Sequence, residues 1–125
     1  MPVTYTIDQA RQLIHTRCIG DVTLLEVIDH FDELVRDPTA PDRLDVLLDL
    51  TEQTLIPASS QLRLVTRKIE EVSARIRFGR CAIVAPGNVM YGMLRVFAAL
   101  TEGQFGAVRV FRDTDTARIW LDLKR

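Results

Sequence analysis

Few residues in this chain have the type and spacing to do chemistry. There are two histidines and two cysteines, His15, His30, Cys18 and Cys81. His15 and Cys18 lie an odd number of positions apart on one strand-like stretch, so they point to opposite faces and cannot form a Cys-His dyad. His30 sits in a helical pattern beside Asp29 and has no second ligand at i+4, which reads as a structural or surface histidine. The cysteines lack CxxC spacing and read as buried free thiols. No GxGxxG, GxxxxGKS, GxSxG or HExxH pattern occurs. We therefore expect no catalytic residues, no metal and no cofactor. An enzyme would need a polar cluster such as Asp49, Ser59 and His15 converging on one pocket.

The richest stretch is instead a junction, Val46 to Leu62, VLLDLTEQTLIPASSQL. An apolar strand ends in Asp49-Leu50-Thr51, a short connection follows, and Ser59-Ser60 opens a long amphipathic helix. In α/β proteins ligands gather where a strand's carboxyl end hands over to a helix. Asp49 and Thr51 can tie down the strand end, and Ser59 or Ser60 can cap the helix, worth about 1 kcal/mol. A serine here also sits at the positive end of the helix dipole. A phosphate added to Ser59 or Ser60 would bring about two negative charges onto a docking surface.

The elements that position this junction follow from periodicity. Val3, Tyr5 and Ile7 alternate with Thr4, Thr6 and Asp8 in a first strand. A turn at Gln9-Ala10-Arg11 leads to a second, Leu13 to Ile19, closed by Gly20-Asp21. Thr23 and Glu26 form a capping-box spacing for a helix with the stripe Leu24, Val27, Ile28, Phe31, Leu34 and Val35, ending at Asp37-Pro38. Leu44 to Leu50 is the third strand. The second helix is expected from about Ser59 to Ile76, and the fourth strand from Cys81 to Ala85. Pro86-Gly87-Asn88 turns into a third helix ending near Gly103, Ala107 to Phe111 is the fifth strand, and Asp113 caps a last helix carrying Ala117, Trp120 and Leu121. The order β-β-α-β-α-β-α-β-α predicts one α/β domain over residues 1–125, with a mostly parallel five-stranded sheet opened by an antiparallel pair.

Strand three places Leu44, Val46, Leu48 and Leu50 on one face and Asp45, Leu47 and Asp49 on the other. Only strand four is apolar throughout, so helices should cover chiefly one face and leave part of the other wet or against a partner. The acids of the first helix (Glu26, Asp29, Asp32, Glu33) and the bases of the second (Arg63, Arg67, Lys68, Arg75) read as solvated faces, with exposed pairs worth a fraction of a kcal/mol.

The chain's 125 residues are 47% apolar and 26% charged, with a formal charge of −1. That charge offers no field for nucleic acid or an anionic membrane. Met1-Pro2-Val3 runs straight into strand-like alternation, without a basic-then-apolar leader, and no apolar run approaches membrane-spanning length. A cytoplasmic location is expected.

The strand-helix order, the Asp49-Leu50-Thr51 strand end and the serine pair together resemble the STAS, or SpoIIAA-like, family. It includes anti-sigma factor antagonists, non-catalytic binding modules regulated by phosphorylation of a serine in an Asp-Ser-Ser-Gly segment. The matching stretch here is Ala58-Ser59-Ser60-Gln61, which lacks the acid and the glycine and assigns Ser59 the phosphoserine position and Ser60 the cap. A closer resemblance, spanning essentially the whole chain, is to a bacterial SpoIIAA-like branch often labelled STAS or CRAL-TRIO-like. It is carried by Ile7-Asp8, Leu48-Asp49-Leu50-Thr51, Ala82 to Pro86, Tyr91-Gly92-Met93-Leu94-Arg95, Val110-Phe111-Arg112 and Trp120-Leu121. What it implies is a one-sided sheet and a binding protein for a partner protein or a lipid-like apolar ligand, or one associating with membranes.

Between Val89 and Leu100 the only charge is Arg95. Met90, Met93, Leu94, Phe97 and Leu100 form a core-facing stripe, with Asn88, Gly92, Arg95 and Ala99 opposite. A helix apolar around most of its circumference is buried or covered; the alternatives are an ordinary core helix, a homodimer seam, and a ligand or membrane lid. The expected binding residues are Asp49, Thr51, Tyr91, Met93 and Arg95, and the expected docking edge is Thr51 to Ser60 with Pro86 to Tyr91. An apolar-ligand binder should hold a dry cavity near Tyr91, Met93 and the second helix.

Overall fold

The structure, a computed structural model, describes residues 2–123; Met1, where the expectation about a leader begins, lies outside the described residues. The elements run β1 (Val3–Asp8), β2 (Leu13–Gly20), α1 (Leu24–Arg36), β3 (Arg43–Gln53), α2 (Ser59–Val72), β4 (Arg77–Val84), α3 (Asn88–Leu100), β5 (Ala107–Phe111) and α4 (Thr114–Asp122). The sheet has five strands in the order β1-β2-β3-β4-β5, with β1 antiparallel to β2 and every other pair parallel.

This monotonic order explains the one-sidedness. Each parallel step needs a right-handed crossover, and crossovers progressing in one direction put their helices on the same face. α1, α2 and α3 pack side by side there. Beneath them lies the main core, including Ile14, Leu44, Leu50, Ile83 and Phe78, joined by half-buried Val46 and Leu48. The alternation on β3 therefore holds as expected. α4 follows the last strand and closes no crossover, so the handedness rule leaves it free. It crosses to the other face and covers Leu47, Ala82 and Val84 with Ala117, Leu121 and Trp120. The outer face is half clad by α4 and half open.

The capping box forms as its spacing predicts. The Thr23 hydroxyl accepts from Glu26 N–H at 3.3 Å and the Glu26 carboxylate accepts from Thr23 N–H at 2.9 Å. Asp113 caps α4 by accepting from Thr116 N–H at 2.8 Å. The boundaries depart from expectation for local reasons. β3 runs on to Gln53 because β2 stays paired with it, Gly20 opposite Gln53, with Arg17 and Glu52 ion-paired alongside. Gly20 has φ +73°, a left-handed turn natural to glycine, and its carbonyl accepts from Thr54 N–H at 2.9 Å. α2 stops at Val72, four residues early, where the Ser73 hydroxyl bonds back to the Ile69 carbonyl at 2.7 Å. β4 begins at Arg77 because it pairs with Arg43 on β3, and α3 stops at Leu100 where the buried Thr101 hydroxyl bonds back to Phe97 at 3.0 Å.

Lys68 is not a solvated charge. It bridges α2 to α1 through Asp32 at 2.5 Å, with its side chain only 18% exposed. His30 is buried, edge-on to Tyr5 with ring centroids 5.2 Å apart, and burial pushes its pKa down to about 4. Both thiols are buried, and burial, joined at Cys18 by the charge of Asp49, pushes each up to about 12.

Candidate functional site

The expected site residues separate into three neighbourhoods. Asp49 and Thr51 lie at the carboxyl end of β3, with Asp49 on the open outer face. The Asp49 Oδ1 accepts from the Thr51 N–H at 2.9 Å and from its hydroxyl at 2.6 Å, the strand-end tie the spacing suggested. Asp49 Oδ2 is 3.7 Å from His15 Nε2 on the adjacent strand, too long for a hydrogen bond, and that nitrogen is buried without one. Burial and the Arg118 guanidinium hold the His15 pKa below its usual value, against the pull of Asp49. Burial of Asp49 works to raise its pKa, but the Thr51 hydrogen bonds, with His15 and Arg17, keep it below the usual carboxylate range. Ser59 does not join this pair. It opens α2 on the face opposite α4, and the cleft that His15 lines is completed by Thr6, Asp8, Arg11, Leu13 and Arg118. Two members of the triad an enzyme would need come together and the third stays away.

The serine pair corrects an expectation. Ser60 is not the cap of α2 and neither is Ser59; the N-cap is Ala58, with Ser59 and Ser60 as the first and second helical residues. The backbone decides this, since Gln61 and Leu62 N–H both bond to the Ala58 carbonyl. The Gln61 side chain supplies the return half of a cap by accepting from Ala58 N–H at 3.0 Å. Alanine cannot supply the other half. Both serines are exposed, and among the described residues neither hydroxyl has a hydrogen-bond partner. Ala58→Ser should raise stability by about 1 kcal/mol by giving the helix its missing acceptor. Urea unfolding of the two forms checks this, and an unchanged midpoint would count against the assigned cap.

Tyr91, Met93 and Arg95 divide further. Met93 packs half-buried against the helix-side core. Tyr91 lies under the Arg112 guanidinium, 4.2 Å from its ring centroid, and shares with Arg95 a groove beside β5. None of the three lines the interior cavities.

Those cavities lie between the sheet and the three-helix layer. An outer chamber of about 100 Å³ opens between Thr23, Gln53, Pro57 and Gln61. An inner chamber of about 80 Å³ reaches His30, Thr16 and Phe105. They share the walls Cys18, Val27, Leu48, Val65 and Phe97. So a cavity does sit against the second helix as an apolar-ligand binder requires, but Tyr91 and Met93 are replaced in its wall by Val65, Leu94 and Phe97. Residue patterns cannot show such a space, because it is volume the side chains fail to fill.

At the expected docking edge, Leu50 and Gln53 also wall a surface groove of about 300 Å³ with Thr54, Ile56 and the segment Pro86 to Met90. The two loops meeting there carry no charge from Gln53 to Leu62 or from Cys81 to Leu94. Leu55, Ile56 and Val89 are exposed at 42%, 45% and 66%. The uncharged runs are a sequence signal for this edge that the strand-end argument did not use. Among the described residues no three His, Cys, Asp or Glu side chains gather to hold a metal, and no helix is long and apolar enough to cross a membrane. Comparison with models of protein families and with curated proteins finds no match for this chain.

Proposed function

We propose that this protein is a non-enzymatic binding module of the STAS type that takes up a small apolar molecule, or the apolar end of a larger one, through the edge formed by the loops after β3 and β4. One observation carries this reading: the uncharged surface groove and the apolar double chamber are adjacent and share Leu50 and Gln53 as a common wall. Ligand sites are mostly apolar concavities with a few placed polar groups. Here the mouth offers Thr23, Gln53 and Gln61, and the inner end offers Thr16 and His30. A cavity of about 150 Å³ lined by Leu, Ile and Phe holds benzene. The two chambers thus suit one ring or a short aliphatic chain, with any polar head left in the groove outside.

The test uses benzene as probe and Val65→Phe as the variant. Val65 lies on the wall common to both chambers, and a larger side chain there fills space that is already present. We expect benzene to shift the methyl resonances of Val27, Leu48 and Val65 in the native protein. The Val65→Phe form should lose that response at least about tenfold while its stability changes by less than about 1.5 kcal/mol. Native mass spectrometry of freshly purified protein should show a bound small molecule that the variant lacks. Benzene binding undiminished in the variant, or absent from the native protein, overturns the reading.

A second reading, a phospho-switched partner-docking module, is favoured by the exposed and unengaged hydroxyls of Ser59 and Ser60 at the start of α2. A phosphate there would meet the helix's free N–H groups. Intact mass of the protein from its host across growth conditions should then show a one-phosphate gain at Ser59 or Ser60; its persistent absence ends this reading.

A further inference from the structure

The β5 edge carries a second binding surface, unconnected with the apolar chambers. β5 is the last strand of the sheet, so one side pairs with β4 and, among the described residues, no strand lies beside the other. A groove of about 460 Å³ follows this edge between the strand and α3. Arg95 and Arg109 line it, and Glu102 is the one carboxylate among its walls. At the Tyr91 end a third guanidinium, Arg112, lies over the tyrosine ring and donates to Asn88 Oδ1 at 2.6 Å. Arg109 is similarly held, 5.6 Å from the Phe111 ring centroid. Among the described residues none of these three arginines is ion-paired to a carboxylate, unlike Arg11, Arg17 and Arg43. Cation–π stacking holds two of the guanidinium forks in place without pairing them to a carboxylate.

We propose that the free edge of β5 accepts an acidic, extended peptide segment of a partner protein as an added parallel or antiparallel strand. Strand addition takes affinity from main-chain hydrogen bonds and specificity from alternate side chains. The edge supplies unpaired N–H and C=O groups, and Arg95, Arg109 and Arg112 supply sites for carboxylates, which guanidinium binds two-pronged. The same charges reject a second copy of this strand, because self-pairing would bring Arg109 against like charge. Nucleic acid could use the arginines but not the strand edge.

The probe is a synthetic alternating Glu-Val peptide about six residues long, the usual strand length, capped at both ends and carrying a fluorophore. Against the full chain its anisotropy should rise, and the rise should weaken with added salt. Amide exchange should slow on β5. Binding should fall at least about tenfold in Arg95→Glu with Arg109→Glu, both exposed positions. It should fall as far for a peptide methylated on alternate backbone nitrogens, which keeps every charge and removes donors. Three results overturn the proposal: no binding near millimolar protein, equal binding of the methylated peptide, or equal binding of a Lys-Val peptide or an oligothymidylate. Retention of the native circular dichroism spectrum by the double variant makes its loss of binding a statement about the edge.

Discussion

Gly79→Ala is expected to destabilise the protein by about 3 kcal/mol or more, although it adds one methyl group. Gly79 lies on β4, and a Cβ there would overlap the Asp45 carboxylate and the Arg43 guanidinium. Arg43 could swing aside, since its side chain is about one-third exposed, but Asp45 cannot. Asp45 is 4% exposed, and its carboxylate accepts from Arg80 N–H at 2.9 Å, with Arg43 3.5 Å away. Displacing it strips hydrogen bonds from a buried charge, a change that costs about 3–5 kcal/mol where one partner of a buried pair is lost. Arg80 would be disturbed too. Its guanidinium donates to the Trp120 carbonyl at 2.7 Å and lies over the Trp120 ring, so the strain reaches the docking of α4. Urea unfolding measures the loss. Asp45→Ser with Gly79→Ala should lose less than the two single changes summed, because removing the carboxylate removes the clash. Strict additivity would show that the methyl and the carboxylate do not meet.

Asp45 also marks where sequence reasoning stops. Alternation on β3 correctly sends Asp45, Leu47 and Asp49 to the face opposite the main core, and a charged residue there reads as wet. Asp49 is near the open half of that face, but Asp45 is buried. The difference comes from the side α4 chooses and from the Arg80 backbone, and neither has a periodic signature. The crossover helices were legible because handedness and strand order constrain them; a terminal helix is constrained only by what it finally covers. The serine pair shows the same limit at smaller scale. Helix-opening residues were recognisable at Ser59-Ser60, yet the cap fell on Ala58 because the cap is set by which carbonyl takes the first helical bonds. The candidate site was legible as an edge, from the loops after β3 and β4, although Asp49 and Thr51 line neither its groove nor its chambers. It was not legible as a cavity, since Cys18, Val27, Leu48, Val65 and Phe97 are ordinary core residues in any pattern and only their imperfect packing makes a space.

Acidification should destabilise the fold well above the pH at which carboxylates protonate, and His30 is the principal reason. In the unfolded chain its pKa is about 6.5. In the fold, burial between Tyr5, Phe31 and the inner chamber pushes it down to about 4. Above about pH 6.5 both states are neutral and His30 adds no pH dependence. Between about 6.5 and 4 the unfolded chain binds a proton that the folded chain refuses, so stability falls with pH through that window, by on the order of 3 kcal/mol in all. His15 has its pKa held down as well and contributes with the same sign. The carboxylates act later. Asp37 is held low by hydrogen bonds from Thr39 and from the Tyr5 hydroxyl, and Asp49 by Thr51, so their contributions are lost only as pH falls through those depressed values. Tyr5 itself is pushed up, by burial first and by Asp37, and does not titrate in this range. His30→Leu, close in volume and without a proton to bind, should remove most of the slope between about pH 6.5 and 4 and leave the steeper acid limb in place. His15→Asn should remove only the smaller part. Urea midpoints taken across that range decide the matter. If the His30→Leu protein loses stability between about pH 6.5 and 4 as steeply as the native protein, the histidine is not the group that carries the acid sensitivity.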